Sequence, residues 1–307
     1  MKLIKPSFEI YKQGPGLEGI YEAIERAGRT CYKSTRPEGQ TAKDFVDRMI
    51  ASQHHAMLEH GTVYLKVINK GLSLDNYDKN QVEDKYISNP YSKVVFGEYP
   101  KYNSYEEKLE ATQEVYITTN YRVLVENGWL DDLQYLCEPT EYHEKRVTVR
   151  FTTDRGVSHE FVRHRVFSFA QESTRYCNYS KDKFGSELTF IIPSWIDSIE
   201  PGTYEENHKF PPMWGHDHWM EDIWFHSMAR CEEDYITMVR EYLTPQQARQ
   251  ILPNSLKTEL VMTGFISDWQ HFFDLRARGT TGAPHPDAKA LAEPLMQEFI
   301  KRNLITQ

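Results

Sequence analysis

Apolar and polar positions along this chain follow two rhythms, and the switches between them outline its elements. Leu17, Ile20, Tyr21, Ile24 and Ala27 recur at helical spacing, which predicts a helix over 17–28 with Gly28 as its stop. Thr41 with Asp44 three residues on predicts an N-cap, opening a helix that carries Phe45, Val46, Met49 and Ile50. Over 62–68 the period changes to two. Val63, Leu65 and Val67 alternate with Thr62, Tyr64 and Lys66, as in a strand with one buried face. Val147, Val149 and Phe151 alternate with Thr148, Arg150 and Thr152 in the same way, and the turn Asp154-Arg155-Gly156 is expected to end that strand. Ser158 is then expected to cap a helix that carries residues 163–165 at its far end. Thr244-Pro245-Gln246-Gln247 reads as a capping box with proline at the first helical position, and Pro253 closes that helix.

Residues 69–144 are polar and rich in Tyr, Asn and Lys, with strand-like pieces at 94–96 and 115–117. A short helix is predicted over 121–127, stopped by Gly128. We read this stretch as an elaboration inserted between two strands of the sheet, within a single domain spanning 1–307. Strands and helices without regular β-α-β alternation favour an α+β fold, a central, mostly antiparallel sheet flanked by helices, over a doubly wound one.

Composition narrows the function classes. At 307 residues the chain can build one large core or two modest ones. No stretch approaches the ~20 apolar residues of a membrane span, and the start, Met-Lys-Leu-Ile-Lys-Pro-Ser-Phe, lacks the apolar core of a signal peptide. A net charge of -9 and a pI near 5.8 argue against a duplex nucleic acid as partner, which needs a broad basic face. Cys31, Cys137, Cys177 and Cys231 lie far apart with no Cys-x-x-Cys, so neither a zinc cage nor a disulfide framework is expected. A cytoplasmic protein with reduced thiols fits these features.

Against that acidic background, residues 163–176 stand out: Arg-His-Arg-Val-Phe-Ser-Phe-Ala-Gln-Glu-Ser-Thr-Arg-Tyr. Clustered arginines repel one another unless an anion lies between them, and guanidinium forks grip phosphate or carboxylate. The segment therefore reads as a site for a phosphorylated small molecule, or else as a solvated basic turn paired with Glu160 and Glu172. Ser173 and Arg175 would share one face if the segment were extended. Arg163 and Arg165, two apart on a helix, would point to different flanks, as at a helix end wedged between two ligands or against a neighbouring subunit.

Other candidates are weaker. His159-Glu160-Phe161-Val162-Arg163-His164 approximates a zinc-protease motif, but its histidines are five apart, about 140° around a helix, where one metal needs about 40°. His54, His55, Glu59 and His60 could bind a metal or simply end a surface helix; no cysteine or aspartate completes a ligand set, and we expect no metal. His216 and His218, in a Pro/Trp-rich stretch, read as structural or surface residues. Neither Gly-x-Gly-x-x-Gly nor a Walker loop is present, which does not exclude a dinucleotide bound outside a Rossmann fold.

Arg-His-Arg, seven residues, Ser, then Arg-Tyr resembles the signature of the flavin-dependent thymidylate synthases. Two further blocks are similar to that family: 27–60, from Ala-Gly-Arg-Thr-Cys-Tyr to His54-His-Ala-Met-Leu-Glu-His60, and 248–276, from Ala-Arg-Gln-Ile-Leu-Pro to Asp-Trp-Gln-His-Phe-Phe-Asp-Leu-Arg. The resemblance implies the thymidylate synthase complementing protein fold and methylation of dUMP to dTMP. Methylenetetrahydrofolate would be carbon donor, FAD redox carrier and NADPH reductant, in a homotetramer. It implies that Glu160, Arg163, Gln171, Glu172, Ser173, Thr174, Arg175, Arg249 and Arg276 bind dUMP, with Arg276 catalytic at the uracil ring. His54, Ala56, Glu59, Arg163, His164, Arg165, Gln171 and His271 would bind FAD. Glu160, where many relatives have Gln, and Ala56, Phe265 and Ser267 depart from the pattern. Two alternatives stay open: a nucleotide-binding or regulatory protein without redox activity, and a cysteine-dependent enzyme using Cys177, which lacks a local His partner.

Overall fold

The computed structural model describes residues 1–69, 82–97, 113–181, 185–205, 208 and 219–306. His216 and His218 lie outside the described residues. In chain order the elements are β1 (Lys2–Ile4), β2 (Ser7–Tyr11), α1 (Gly16–Tyr32), α2 (Ala42–Ala51), β3 (Thr62–Asn69), α3 (Asp84–Ile87), β4 (Lys93–Phe96), β5 (Gln113–Asn120) and α4 (Tyr121–Asn127). There follow β6 (Arg146–Asp154), α5 (Arg155–Phe161), β7 (Ser168–Gln171), β8 (Thr189–Ile191), β9 (Gly202–Thr203), α6 (Trp219–Glu241), α7 (Pro245–Ala248), β10 (Lys257–Phe265), α8 (Ile266–Phe273) and α9 (Pro286–Lys301). The fold class is α+β, as expected.

A four-stranded antiparallel sheet, ordered β2-β6-β10-β7, is the centre. Strand β6 alternates buried and half-buried positions throughout, as its sequence requires. The sheet's apolar face, with Phe151 of β6 and Leu260 of β10, meets Phe161 of α5, Trp269, Phe272 and Phe273 of α8, and Phe299 of α9. On the opposite face Ala27 of α1 packs on Ala170 and Val261.

Strand β3 does not join this sheet. It pairs with β5, which pairs with β4, in a separate antiparallel sheet. The described part of residues 69–144 thus extends a second sheet, not the gap between two strands of the first. Their apolar side chains, Val115, Ile117 and Tyr86 among them, share one core with Ile20 and Ile24 of α1 and Phe45 of α2. Val63, Leu65 and Val67 are buried as predicted, but so are Thr62 and Tyr64. The second face of β3 is covered too: the Tyr64 ring packs against His143 and its hydroxyl accepts from the Arg146 N–H at 3.2 Å. A third sheet, β8-β1-β9, carries a parallel pair and packs with α6.

Helix α1 runs through Gly28 to Tyr32 and ends at Lys33, in the left-handed region (φ 46°). Gly28 is not a stop. A Cβ there would stand 2.5 Å from Cζ of Phe45, so glycine is what lets α1 approach α2. The Thr41–Asp44 capping box, α4 with its Gly128 stop, and the Thr244–Gln247 box all form where the sequence placed them.

Candidate functional site

The signature segment begins where β6 turns into α5. Asp154, not Ser158, caps this helix: its carboxylate accepts from the Val157 N–H at 2.8 Å. Aspartate just ahead of the first turn meets otherwise unpaired N–H groups, and Ser158, inside the helix, donates to the Arg155 carbonyl at 2.9 Å. The helix ends at Phe161, so residues 163–165 lie in the turn beyond it. That turn leaves Arg163 and Arg165 exposed and buries His164 between them.

After β7 the chain does not stay extended. The N–H groups of Tyr176 and Cys177 both donate to the Ser173 carbonyl, at 3.2 and 2.9 Å, closing a tight turn. Ser173 and Arg175 therefore do not share a strand face. The Arg175 guanidinium lies instead over the Tyr176 ring, 5.5 Å from its centre. The turn is tied to α1, because the Ser173 N–H donates to the Cys31 carbonyl at 3.0 Å.

Surface pairs to Glu160 and Glu172 do not account for this arginine cluster. Glu160 binds Arg276, and Glu172 accepts from Lys257 at 2.7 Å and from the Tyr179 hydroxyl at 2.9 Å. Among the described residues Arg163, Arg165 and Arg175 have no carboxylate partner, which in a chain of net charge -9 leaves them available to an anion. Glu172 lines a separate cavity with Lys33, Tyr179 and Lys257, away from the one that Gln171 and Ser173 line. It belongs to an ion-pair network with Lys33, Lys257 and Glu259. Thr174 is buried.

Two adjoining cavities meet at Ala56. The first, about 510 Å³, is lined by Cys31, Tyr32, Gln53, His54, His55, Ala56, Met57, Arg122, Glu126, Gln171, Ser173 and Tyr176. The second, about 620 Å³, takes in Ala56, Glu59, Arg165, Ser168 and Phe169 together with Lys93, Arg146 and Phe265. Gln171 is anchored beneath α5, donating to Ser158 at 2.8 Å and Thr258 at 3.2 Å. Glu59 is oriented by Arg122 of α4, at 2.5 Å, and His55 pairs with Glu126 at 2.9 Å. His60 turns inward to Thr263. The four residues 54, 55, 59 and 60 are thus dispersed, and among the described residues no group of His, Cys, Asp or Glu could hold a metal ion.

Arg276 sits in a π-helical turn after α8 (Asp274–Arg278), and all three of its nitrogens are engaged. Nη1 donates to the Glu160 carboxylate at 2.6 Å, Nη2 to the Glu160 carbonyl at 3.0 Å, and Nε to Nε2 of His164 at 3.1 Å. An acceptor nitrogen means a neutral imidazole. Burial, then the charges of Arg276 and His271, push the His164 pKa down to about 4, which keeps it so. The His271 ring lies 6.2 Å from that of His164 and is otherwise exposed. Arg249 is exposed in the 3₁₀ turn after α7, packed near α6 and not on the wall of either cavity.

Arg122, Arg146, Lys93 and Tyr32 were not identified from sequence. Each reaches the cavities through a contact distant along the chain, and no local pattern marks them. Lys93, Arg146 and Arg165, which among the described residues pair with no carboxylate, stand beside Phe265, Phe167 and Phe169 and suit a ligand with phosphates and a planar ring. A flavin dinucleotide fits this donor set.

The family model described as thymidylate synthase complementing protein matches residues 139–302. The flavin-dependent thymidylate synthase of Geobacter sulfurreducens is 27% identical over 122 residues, 40% of this chain and 43% of that protein. That of Thermococcus onnurineus is 32% identical over 123 residues, 40% and 42% of the two chains. The probable enzyme of Paramecium bursaria Chlorella virus 1 is 28% identical over 154 residues, 50% of this chain and 67% of that one. This chain spans about half the length of the curated relatives it matches. Among solved structures, the UMP/dUMP methylase PolB of Streptomyces cacaoi with 5-Br UMP aligns over 98% of this chain and 92% of that one, at 14% identity and a TM-score of 0.44. The family match covers more than half of this sequence and includes the whole arginine-rich turn, and the chain belongs to the thymidylate synthase complementing protein family.

Proposed function

We propose that this chain is a flavin-dependent thymidylate synthase that methylates dUMP at C5 to give dTMP. Methylenetetrahydrofolate would donate the carbon and NADPH the reducing equivalents. FAD, when bound and reduced, would supply the hydride that turns the transferred methylene into a methyl group. One observation carries this proposal: the family's arginine-rich segment lines two adjoining cavities while, among the described residues, its arginines have no carboxylate partner.

Ser173, Gln171 and Arg175 would hold the nucleotide at the first cavity, with Arg163 and Arg249 reaching it as exposed cations. Glu59, Ala56 and Arg165 would line the flavin side, beside His164 and His271, with His54 on the wall of the first cavity where the two meet. Glu172 and Thr174 support the turn and do not line either cavity. Arg276 would stabilise negative charge on the uracil, raising the nucleophilicity of C5 so that no protein nucleophile is needed. Its link to Glu160 and neutral His164 fixes the guanidinium before substrate arrives, which reduces the reorganisation left for the reaction step. Arg163, Arg175, Arg249 and Arg276 line neither cavity within one chain. A homotetramer in which neighbouring subunits bring such arginines to the cavities would complete the site, and closed symmetry is the usual form of such assemblies. The reaction would run in the cytoplasm.

A visible spectrum of the purified protein tests the proposal. Absorbance near ~450 nm, the signature of the isoalloxazine ring, that shifts on adding dUMP is the expected result. A protein that stays colourless after incubation with FAD, yet binds dUMP, would favour the non-redox nucleotide-binding alternative. Light scattering is expected to give a tetramer, and a monomer that turns over dUMP would remove the shared-site proposal.

A further inference from the structure

The cavity of about 620 Å³ holds more positive charge than its walls neutralise. Arg146 opens β6. Its guanidinium donates to three neutral acceptors, the Glu59 carbonyl at 2.9 Å, Ser168 Oγ at 3.2 Å and Thr62 Oγ1 at 3.4 Å. Surrounding protein, chiefly through burial, holds its pKa down to about 10, while the side chain stays partly open to the cavity. Glu59 and Asp268 act on this charge only from a distance, so a half-buried cation held by neutral acceptors is stabilised further by an anionic ligand.

A second cation stands beside it. Lys93 Nζ and the Arg146 guanidinium both rest on the Phe265 ring, 5.7 and 5.6 Å from its centre. Arg165 lines the same cavity. Like charges gathered around one ring repel unless an anion joins them. Two carboxylates share the wall: Glu59 is taken by Arg122, and Asp268, which accepts from the Phe265 N–H at 3.1 Å, attracts Lys93 and Arg146 without pairing with either, so the three cations outnumber the acids that face them. Lys93 is on a fixed element, paired with Thr118 across β4 and β5. It also lies outside residues 139–302, so the family match does not account for it.

We propose that Lys93 and Arg146 bind the phosphates of the flavin dinucleotide, giving the segment ahead of β5 a direct part in cofactor selection. This rests on the FAD proposal above. A planar guanidinium fork beside a mobile ammonium suits tetrahedral phosphate better than a neutral ring. Selection would therefore favour FAD over flavins that lack phosphate.

The test is a fluorescence titration of the flavin-free full chain with FAD and, separately, with riboflavin. Lys93→Ala should weaken FAD binding about tenfold or more, as expected for loss of a charge-assisted contact. Riboflavin affinity should stay within about twofold of wild type, because that ligand has no phosphate for the ammonium to grip. Lys93→Arg should retain most FAD affinity, and Arg146→Lys should show the same selective loss as Lys93→Ala. Lys93→Ala binding FAD like wild type, or losing both flavins equally, would overturn the inference alone. Wild type that binds neither flavin would overturn the cofactor proposal and the inference together.

Discussion

At the scale of single residues, Arg175 and Arg276 make a useful contrast. Arg175 is exposed, bonded to nothing acidic among the described residues, and lies along Tyr176. Arg175→Ala should leave the fold intact and weaken dUMP binding by ~2 kcal/mol, the loss of a charge-assisted phosphate contact. Calorimetric titration checks this, and an equal loss of FAD affinity would show a structural role instead. Arg276 is bound on every side. It does not pair with Asp274, which Arg278 takes at 2.8 Å, but with Glu160 and His164. If it acts on the activated uracil, Arg276→Ala should lower single-turnover oxidation with dUMP and methylenetetrahydrofolate far more than it alters flavin reduction by NADPH. Arg276→Lys should be impaired too, since an ammonium cannot reach Glu160 and His164 together as the planar fork does. Normal oxidation in Arg276→Ala would end its catalytic assignment.

At the scale of elements, helix α1 shows propensity and packing in opposition. Alanine is preferred to glycine inside a helix by about 1 kcal/mol, so Gly28→Ala would be stabilising in isolation. Here the added methyl meets Cζ and Cε1 of Phe45 at 2.5 and 2.7 Å. Overpacking of a rigid ring costs about 1–3 kcal/mol and should win. Urea denaturation is expected to show a lower midpoint for Gly28→Ala, and a higher one would mean that α2 yields easily. The same comparison explains why a glycine stop predicted at 28 was not one. A stop requires the left-handed backbone found at Gly128 (φ 70°), whereas Gly28 keeps helical geometry and serves close approach.

At the scale of the whole molecule, buried imidazoles make stability depend on pH. Burial pushes the pKa of His60 down to about 3 and that of His164 to about 4, from an ordinary 6.5. Between about pH 4 and 6.5 the unfolded chain takes up a proton at each site that the folded chain refuses. Their contribution to stability is complete above 6.5 and declines as the pH falls towards the folded values. The urea midpoint should accordingly be lower at pH 5 than at pH 7. Replacing His60 by Gln should flatten that difference, and an unchanged slope would show that other groups set it.

Periodicity and capping chemistry, which act over a few residues, were legible without a structure. The alternation in β6, the Thr41–Asp44 box, α4 with its Gly128 stop, and the arginine-rich segment all follow from side chains near one another in sequence. Ser158 was the wrong cap because two cap-competent side chains compete there, and only the path of the backbone selects Asp154. Likewise Ser173 and Arg175 follow from a turn closed on the Ser173 carbonyl and tied to Cys31, 142 positions away in the case of that tie. Sheet membership was decided by tertiary structure as well. Nothing local distinguishes a strand that pairs with β6 from one that pairs with β5, because pairing depends on which apolar faces can be buried together. The partners of Arg276 and the meeting of Lys93 with Arg146 on Phe265 are of this kind too. A sequence names the charges it carries; which of them find a counter-charge is settled when distant segments are brought within a few ångströms.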